Sequence, residues 1–413
     1  MHTATQASAL DLSTLRAQFP ILQRSIGSHP LTYLDNAATS QKPAAVIDAI
    51  SRFFRQDNAN IHRGVHYLSV QATDLYDRAR AAVAGYIGAR EPREIIFVRG
   101  TTEAINLVAR SFGGSKLEAG DEILLTVMEH HANIVPWQQI AAERGAVIRV
   151  VPVRDTGEID LGDFGRLLSP RTRIASFSHA SNALGSINPV AEMTRIAREH
   201  GAVVLIDGAQ ALPHGPIDVA AIDCDFYAFS GHKMFGPDGI GVLYGRAGML
   251  NALPPYQSGG DMIERVSFTG TTFRAVPERF EAGTPHISGA IGLEAAVTWL
   301  RQLDWPAVHA HEQALLEQAE TLLTEIPGIR LYGSAPDRVS LLSFNLEGVH
   351  PHDLGTILDS EGVAIRAGHH CTQPLMQHLG VPGTARASFA LYNTPEEVER
   401  LASAVRRARH LFA

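Results

Sequence analysis

Between about residue 93 and residue 245, short apolar runs alternate with stretches in which apolar residues recur at helical spacing, the pattern of a parallel sheet with crossover helices. The runs Glu94–Val98, Glu122–Val127, Ala146–Val151, Arg173–Phe177, Ala202–Ile206, Asp225–Phe229 and Gly241–Tyr244 read as strands, and Thr101–Ala109 as the helix that the first of them feeds. After Pro285 the pattern changes to two long helical stretches, Gly289–Leu303 and His309–Ile326, followed by short strands such as Val339–Phe344. The expected class is therefore α/β. It comprises an arm over residues 1–15, a large domain over 16–290 with a mixed, mostly parallel sheet, and a smaller C-terminal α+β domain over 291–413. No repeat, low-complexity tract or long linker interrupts the chain.

A length of 413 residues supports two substantial cores. With 45% hydrophobic and 19% charged residues and a net charge of −8, the chain lacks both the basic excess that nucleic acid demands and the low hydrophobicity of a disordered protein. A small substrate is favoured over a polyanion. The first residues show no basic segment leading into an apolar one, and no stretch reaches the roughly 18 apolar residues of a membrane span, so a soluble cytoplasmic protein is expected. Two cysteines, Cys224 and Cys371, make no disulfide framework, and each thiol is judged singly.

The stretch Ser230-Gly-His-Lys233 places a lysine just past a strand that reads as buried, before the turn Gly236-Pro-Asp-Gly239. Most lysines are solvated surface groups. A lysine at the mouth of an α/β sheet is instead desolvated, with a lowered pKa and nucleophilic character. A carbonyl cofactor such as pyridoxal phosphate accounts for its neighbours. Such a cofactor needs a lysine for its aldehyde, a carboxylate for its ring nitrogen, donors for its phosphate and a flat group beside its ring. Asp207, in Asp207-Gly-Ala-Gln210, closes a strand and suits the ring nitrogen, although a cap or turn carboxylate is the plainer reading; Gln210 suits the ring hydroxyl. Gly100-Thr-Thr-Glu103 opens a helix and offers N–H groups and hydroxyls to a phosphate. Met128-Glu-His-His-Ala-Asn133 supplies an imidazole; adjacent histidines are not a usual chelating pair, so no metal is expected.

Together with Arg366-Ala-Gly-His-His-Cys371, these motifs resemble the SufS-type (group II) cysteine desulfurases of the class V aminotransferase-like family, from Tyr33-Leu-Asp-Asn-Ala-Ala38 to beyond Arg386-Ala-Ser388. The resemblance implies the aminotransferase fold type I, a pyridoxal 5′-phosphate cofactor and a homodimer. It puts the cofactor-bearing lysine on Lys233, the ring-nitrogen partner on Asp207 and the stacking, acid/base histidine on His130. Phosphate ligands fall on Thr102, Ser230 and His232, with Thr284 reaching in from a partner subunit. Asn182 and Gln210 match positions near the ring hydroxyl and substrate, and Arg386 matches the arginine that pairs with the substrate carboxylate, with Arg366 nearby. The resemblance implies threonine, more often than aspartate, at the position of Asp238.

Cys224 lies beside a strand and fits a buried, inert thiol. Cys371 is surrounded by Arg366, His369 and His370, and such donors favour thiolate. The short Arg-x-Gly-His-His-Cys loop resembles that of group II enzymes. The activity implied is conversion of L-cysteine to L-alanine with a persulfide left on Cys371, destined for a SufE or SufU type acceptor and iron–sulfur cluster assembly. Selenocysteine lyase or cysteine sulfinate desulfinase is the nearest alternative. An aminotransferase or decarboxylase would need Lys233 and Asp207 but not Cys371, and a non-enzymatic scaffold would need none of them.

Overall fold

The computed structural model describes residues 10–412. The large unit is built on a seven-stranded sheet of β1 (Ile95–Val98), β2 (Glu122–Thr126), β3 (Val147–Val151), β4 (Thr172–Ser178), β5 (Val203–Asp207), β6 (Phe226–Ser230) and β7 (Gly241–Gly245). These lie in the order β1-β7-β6-β5-β4-β2-β3. All seven expected strands are present, with ends shifted by a residue or two. Pairings among β2 to β6 are parallel, whereas β7 runs antiparallel to both β1 and β6. The reversal follows from length. Only the short segment Gly231–Ile240 joins β6 to β7, too little chain for a crossover, and Gly231 N–H to Ile240 O (2.9 Å) closes it.

Alternation along the central strands explains why they read as continuous apolar runs. Leu124, Phe177, Val204, Ile206, Tyr227 and Phe229 face one core, and Ile123, Leu125, Ile174, Leu205, Phe226 and Ala228 face the other. Both faces are covered by helices, so period two leaves no polar side. Helix Ile287–Leu300 is buried nearly all round and packs against the helices Tyr67–Tyr86 and Ala44–Arg52. Two close approaches require glycine. A Cβ on Gly241 would come within 2.5 Å of Gly100 Cα, and one on Gly208 within 2.0 Å of the Tyr227 ring.

The smaller unit has an antiparallel sheet of β8 (Ile329–Tyr332), β9 (Leu341–Leu346), β10 (Arg366–Gly368) and β11 (Thr384–Ser388), in the order β8-β9-β11-β10. The helices Trp305–Thr324, Pro351–Ser360 and Pro395–Phe412 pack against it, around a core that includes Phe344, Leu354 and Val405. The chain's beginning also joins this unit: Thr32–Tyr33 runs parallel to Val363–Ala364, and Ser388 N–H bonds to Leu34 O at 2.8 Å. The arm expected over residues 1–15 lies outside the described residues as far as residue 9. A helix then runs Leu12–Ala17, with Leu15 buried and Arg16 2.7 Å from the buried carboxylate of Glu397.

One buried ion pair ties a long helix to the chain leading into the smaller unit. Arg80 holds Glu281 through two bonds of 2.7 and 2.8 Å, and Glu281 also accepts from Phe97 N (2.7 Å) and Tyr76 Oη (3.0 Å). Removing one partner strands the other charge away from water. Glu281→Gln is therefore expected to lower stability by about 3–5 kcal/mol, read as a fall in the urea unfolding midpoint; an unchanged midpoint contradicts this account of the pair.

Candidate active site

The parallel strands end on one edge of the large sheet, where α/β proteins place their ligands. Asp207 ends β5 and Ser230 ends β6, while His130 follows β2 and Asn182 follows β4. A cavity of about 200 Å³ at this edge is lined by Thr102, His130, Asn182, Asp207, Gln210, Ser230, His232 and Lys233 from the large unit. Arg366, His370, Cys371 and Arg386 from the smaller unit line it as well. Every candidate residue named above is thus brought together except Thr284. That residue lines a separate hollow of about 520 Å³ with Glu103, Glu281 and His286. A larger hollow of about 940 Å³ beside the helix Val190–Glu199 holds none of the candidates.

Lys233 sits in the β6–β7 link. Desolvation dominates its titration and pushes the ammonium down from 10.5 to about 8; the arginines 386 and 366 add to the shift, and Asp207 opposes it. Asp207 is buried, which raises its carboxyl above the ordinary value despite the bond from Ala209 N (3.0 Å) and the attraction of Lys233. Gln210 is fixed by its own amide, Nε2 to Ala37 O at 2.7 Å.

Ser230 Oγ accepts from Thr101 N (2.9 Å) and lies 2.8 Å from Thr101 Oγ1. Thr101 begins the helix Thr101–Val108, so the hydroxyls sit at the positive end of a helix. His232 is held through its carbonyl, which accepts from Ser40 N, Thr39 Oγ1 and Lys42 Nζ at 3.1, 3.0 and 2.7 Å. Its imidazole is driven down to about 4 by burial and then by Lys233 and Lys42, and Asp238 pulls the other way.

His130 is also pushed down to about 4, by burial first and Lys233 second. Its Nδ1 accepts from Ala132 N at 3.0 Å, which leaves the proton of the neutral ring on Nε2. Behind it, the wholly buried Glu129 accepts from Thr126 Oγ1 (2.5 Å), Asn133 Nδ2 (2.6 Å) and Ser178 N (3.1 Å), and desolvation raises its carboxyl to about 7.

Arg386 is buried on β11 and lowered to about 10 by desolvation. Nη1 donates to Asn182 O (2.8 Å) and Nη2 to Asp35 Oδ1 (3.1 Å), while Nε has no partner. Asp35 Oδ2 also lies 3.4 Å from Arg366 Nε. The cysteine loop is tied across the cavity by His131 N–H to Cys371 O (2.7 Å) and Asn182 Nδ2 to His370 O (2.7 Å). His370 and Cys371 both take left-handed backbone, with φ of 51° and 58°, a conformation that costs about 1–2 kcal/mol per residue for a side-chain-bearing residue. Cys224, by contrast, is fully buried, and desolvation raises its thiol far above the ordinary range.

Three residues that shape the site escape sequence reasoning. Asp35 meets Arg386 across 351 positions of chain. Glu129 reads as one more residue of a histidine motif. Lys42 is the third: burial lowers it to about 8 as well, yet its ammonium is spent on Ser40 O and His232 O at 2.6 and 2.7 Å. A simple count would have helped, because the chain has only three lysines, Lys42, Lys116 and Lys233.

The aminotransferase class-V model matches residues 32–401. The chain belongs to the aminotransferase class-V family. Among relatives of this family member, a probable cysteine desulfurase of Vibrio cholerae serotype O1 is 51% identical over 98% of this chain and 100% of its own. The structure of the cysteine desulfurase CsdA (S-sulfonic acid) from Escherichia coli superposes with a TM-score of 0.91 at 42% identity, covering 98% of this chain and all of that one. A C-DES variant with glycine covalently linked to its PLP cofactor gives a TM-score of 0.80 at 26% identity, over 95% of this chain and 98% of that one.

Amine chemistry offers a direct check on the electrostatics. In cofactor-free protein, the rate of acylation of Lys233, read by peptide mass spectrometry with exposed Lys116 as reference, is expected to rise to half its maximum near pH 8. A midpoint near 10.5 shows that burial does not depress this ammonium.

Proposed function

We propose that this chain is a pyridoxal phosphate-dependent cysteine desulfurase that converts L-cysteine to L-alanine and keeps the sulfur on Cys371. The observation that carries the reading is the placement of Cys371 on the wall of the same cavity as Lys233, Asp207 and Arg386. An aminotransferase has no use for a thiol there.

The donor set fits the cofactor. Lys233 is a partly deprotonated amine at neutral pH, and Asp207 is a buried carboxylate at a strand end for the ring nitrogen. Thr102, Ser230 and His232 gather at a helix N-terminus and would hold the phosphate, Gln210 and Asn182 would bond the ring hydroxyl side, and His130 would stack on the ring. When bound, pyridoxal phosphate supplies an electron sink that labilises bonds at the substrate's α-carbon.

The chain's own groups do the rest. Arg386, with an unpartnered Nε and a guanidinium already fixed by Asn182 O and Asp35, takes the substrate carboxylate, and Arg366 supports it. Lys233, with a pKa near the working pH, moves the α-proton. His130, neutral with its proton on Nε2, acts as a donor to the substrate. Cys371 attacks the substrate sulfur as thiolate: a sulfur–sulfur bond forms, the carbon–sulfur bond breaks, and the three-carbon fragment takes up a proton and leaves as alanine.

The sulfur then passes to a SufE or SufU type acceptor for iron–sulfur cluster assembly in the cytoplasm. The working form is a homodimer in which Thr284 reaches the phosphate of the partner's site; its position outside its own cavity is consistent with that role. The division expected near residue 290 falls inside the helix Ile287–Leu300, which packs with the large unit; the smaller unit, from the helix Trp305–Thr324 onward, brings the cysteine loop and Arg386 to a site built on the larger one.

Incubation with L-cysteine in the absence of reductant is expected to yield alanine together with a persulfide on Cys371, mapped by alkylation and mass spectrometry. Cys371→Ala is expected to drop both to background while keeping the cofactor's visible absorbance, and Lys233→Ala to lose both products. Undiminished alanine from Cys371→Ala sinks the sulfur-transfer reading.

A further inference from the structure

Outside the cavity proper, the cysteine loop meets the loop after β2 in a way the proposed reaction does not use. One ligand atom each from His131, His369 and Cys371 lies within 4.8 Å of the others. The imidazoles of His131 and His369 are 5.5 Å apart between ring centres and tilted by 36°. His131 and Cys371 are half-buried and His369 is exposed, so the cluster opens to solvent.

We propose that His131, His369 and Cys371 form a site for a soft divalent cation, Zn²⁺ in the first place, that reversibly caps the thiol. Two imidazoles and one thiolate are a ligand set that zinc takes in proteins, and three ligands leave a fourth position for water. Tetrahedral Zn²⁺ with bonds of about 2.0–2.3 Å holds its ligand atoms roughly 3.3–3.8 Å apart, so the cluster has to close by about 1 Å. An exposed His369 and a cysteine at the turn of the loop can supply that movement by side-chain rotation.

The backbone frame is already tied. His131 N–H donates to Cys371 O at 2.7 Å, which fixes the two loops against each other. His131 Nε2 accepts from Gln373 N and His369 Nδ1 from Cys371 N, each at 3.1 Å, so both rings are oriented, and a cation takes over the lone pair that each neutral ring now offers to an amide. Both contacts lie at exposed positions, where water replaces an amide partner lost to coordination. Binding releases the thiol proton to solvent and involves no electron transfer. Adjacent histidines had argued against chelation; here only the second of the pair takes part, and the other ligands come from a loop some 240 residues away, a separation of 242 at the Gln373 contact.

The site shares Cys371 with the proposed reaction, but its existence does not depend on that reaction; the consequence, loss of the nucleophile while the cation is bound, rests on that reading. Titration of the holoenzyme with Co²⁺ and Zn²⁺ separates the two. One equivalent of Co²⁺ is expected to give a thiolate charge-transfer band and visible d–d bands, displaced by Zn²⁺. Cys371→Ser is expected to abolish the charge-transfer band, and Cys371→Ser and His131→Gln each to weaken Zn²⁺ binding at least tenfold in calorimetry, with the cofactor's absorbance reporting an intact fold. Unchanged affinity in Cys371→Ser, a one-atom replacement, overturns the site, because the cation then sits on other histidines of the 19 in the chain. If Zn²⁺ binds as expected, alanine formation is expected to fall with the same concentration dependence and to return on adding a chelator. Binding without inhibition overturns the capping role while leaving the metal site in place.

Discussion

The structure turns on charges withdrawn from water at the edge of one sheet. Lys233, Asp207 and Arg386 are held in a small cavity where desolvation is the largest influence on all three; Lys233 and Asp207 also act on each other, and Arg386 acts on Lys233. A buried lysine shifted to about 8 is held partly neutral, and the enclosed carboxylate near it is raised for the same reason. Asp35 keeps this arrangement tolerable by lying against Arg386 and Arg366, so that two positive groups share one carboxylate rather than repel unopposed. The backbone provides the rest: strand ends that stop at one level, a short β6–β7 link that puts Lys233 at that level, and a glycine at 241 that lets β7 approach Gly100.

The smaller unit completes the site rather than decorating it. It contributes Arg386 from a buried strand and Cys371 from a partly exposed loop in left-handed backbone. That contrast suits the two tasks. In the proposed reaction a carboxylate partner has to stay fixed, whereas a thiol that takes a sulfur from the substrate and hands the same sulfur on has to meet two partners. Contacts that locate the loop include His131 N–H to Cys371 O, Asn182 Nδ2 to His370 O, the His370 ring with Thr384 Oγ1, and Gln373 N–H to His131 Nε2.

Much of this was legible from sequence. The seven strands stood out because both faces of the sheet are buried, so each strand is apolar throughout. Lys233, Asp207 and the hydroxyls at the helix start stood out as candidates because strand ends and helix starts leave local signals, and Cys371 because its motif is contiguous; the structure gathers them at one cavity. What stayed hidden depends on distance along the chain. Asp35 has no local mark of its pairing with Arg386, and Lys42 looks like any surface lysine until its ammonium is seen bonded to the carbonyls of Ser40 and His232. The helix at Leu12–Ala17 was masked for the same reason, since its partner, Glu397, lies at the far end of the chain.

The central claim is that Lys233, and not the similarly depressed Lys42, carries the cofactor. Borohydride reduction of the yellow holoenzyme, followed by proteolysis and mass spectrometry, tests it directly. The account predicts a single pyridoxyl-phosphate adduct on the peptide containing Lys233. An adduct on Lys42, or no covalent adduct at all, contradicts it.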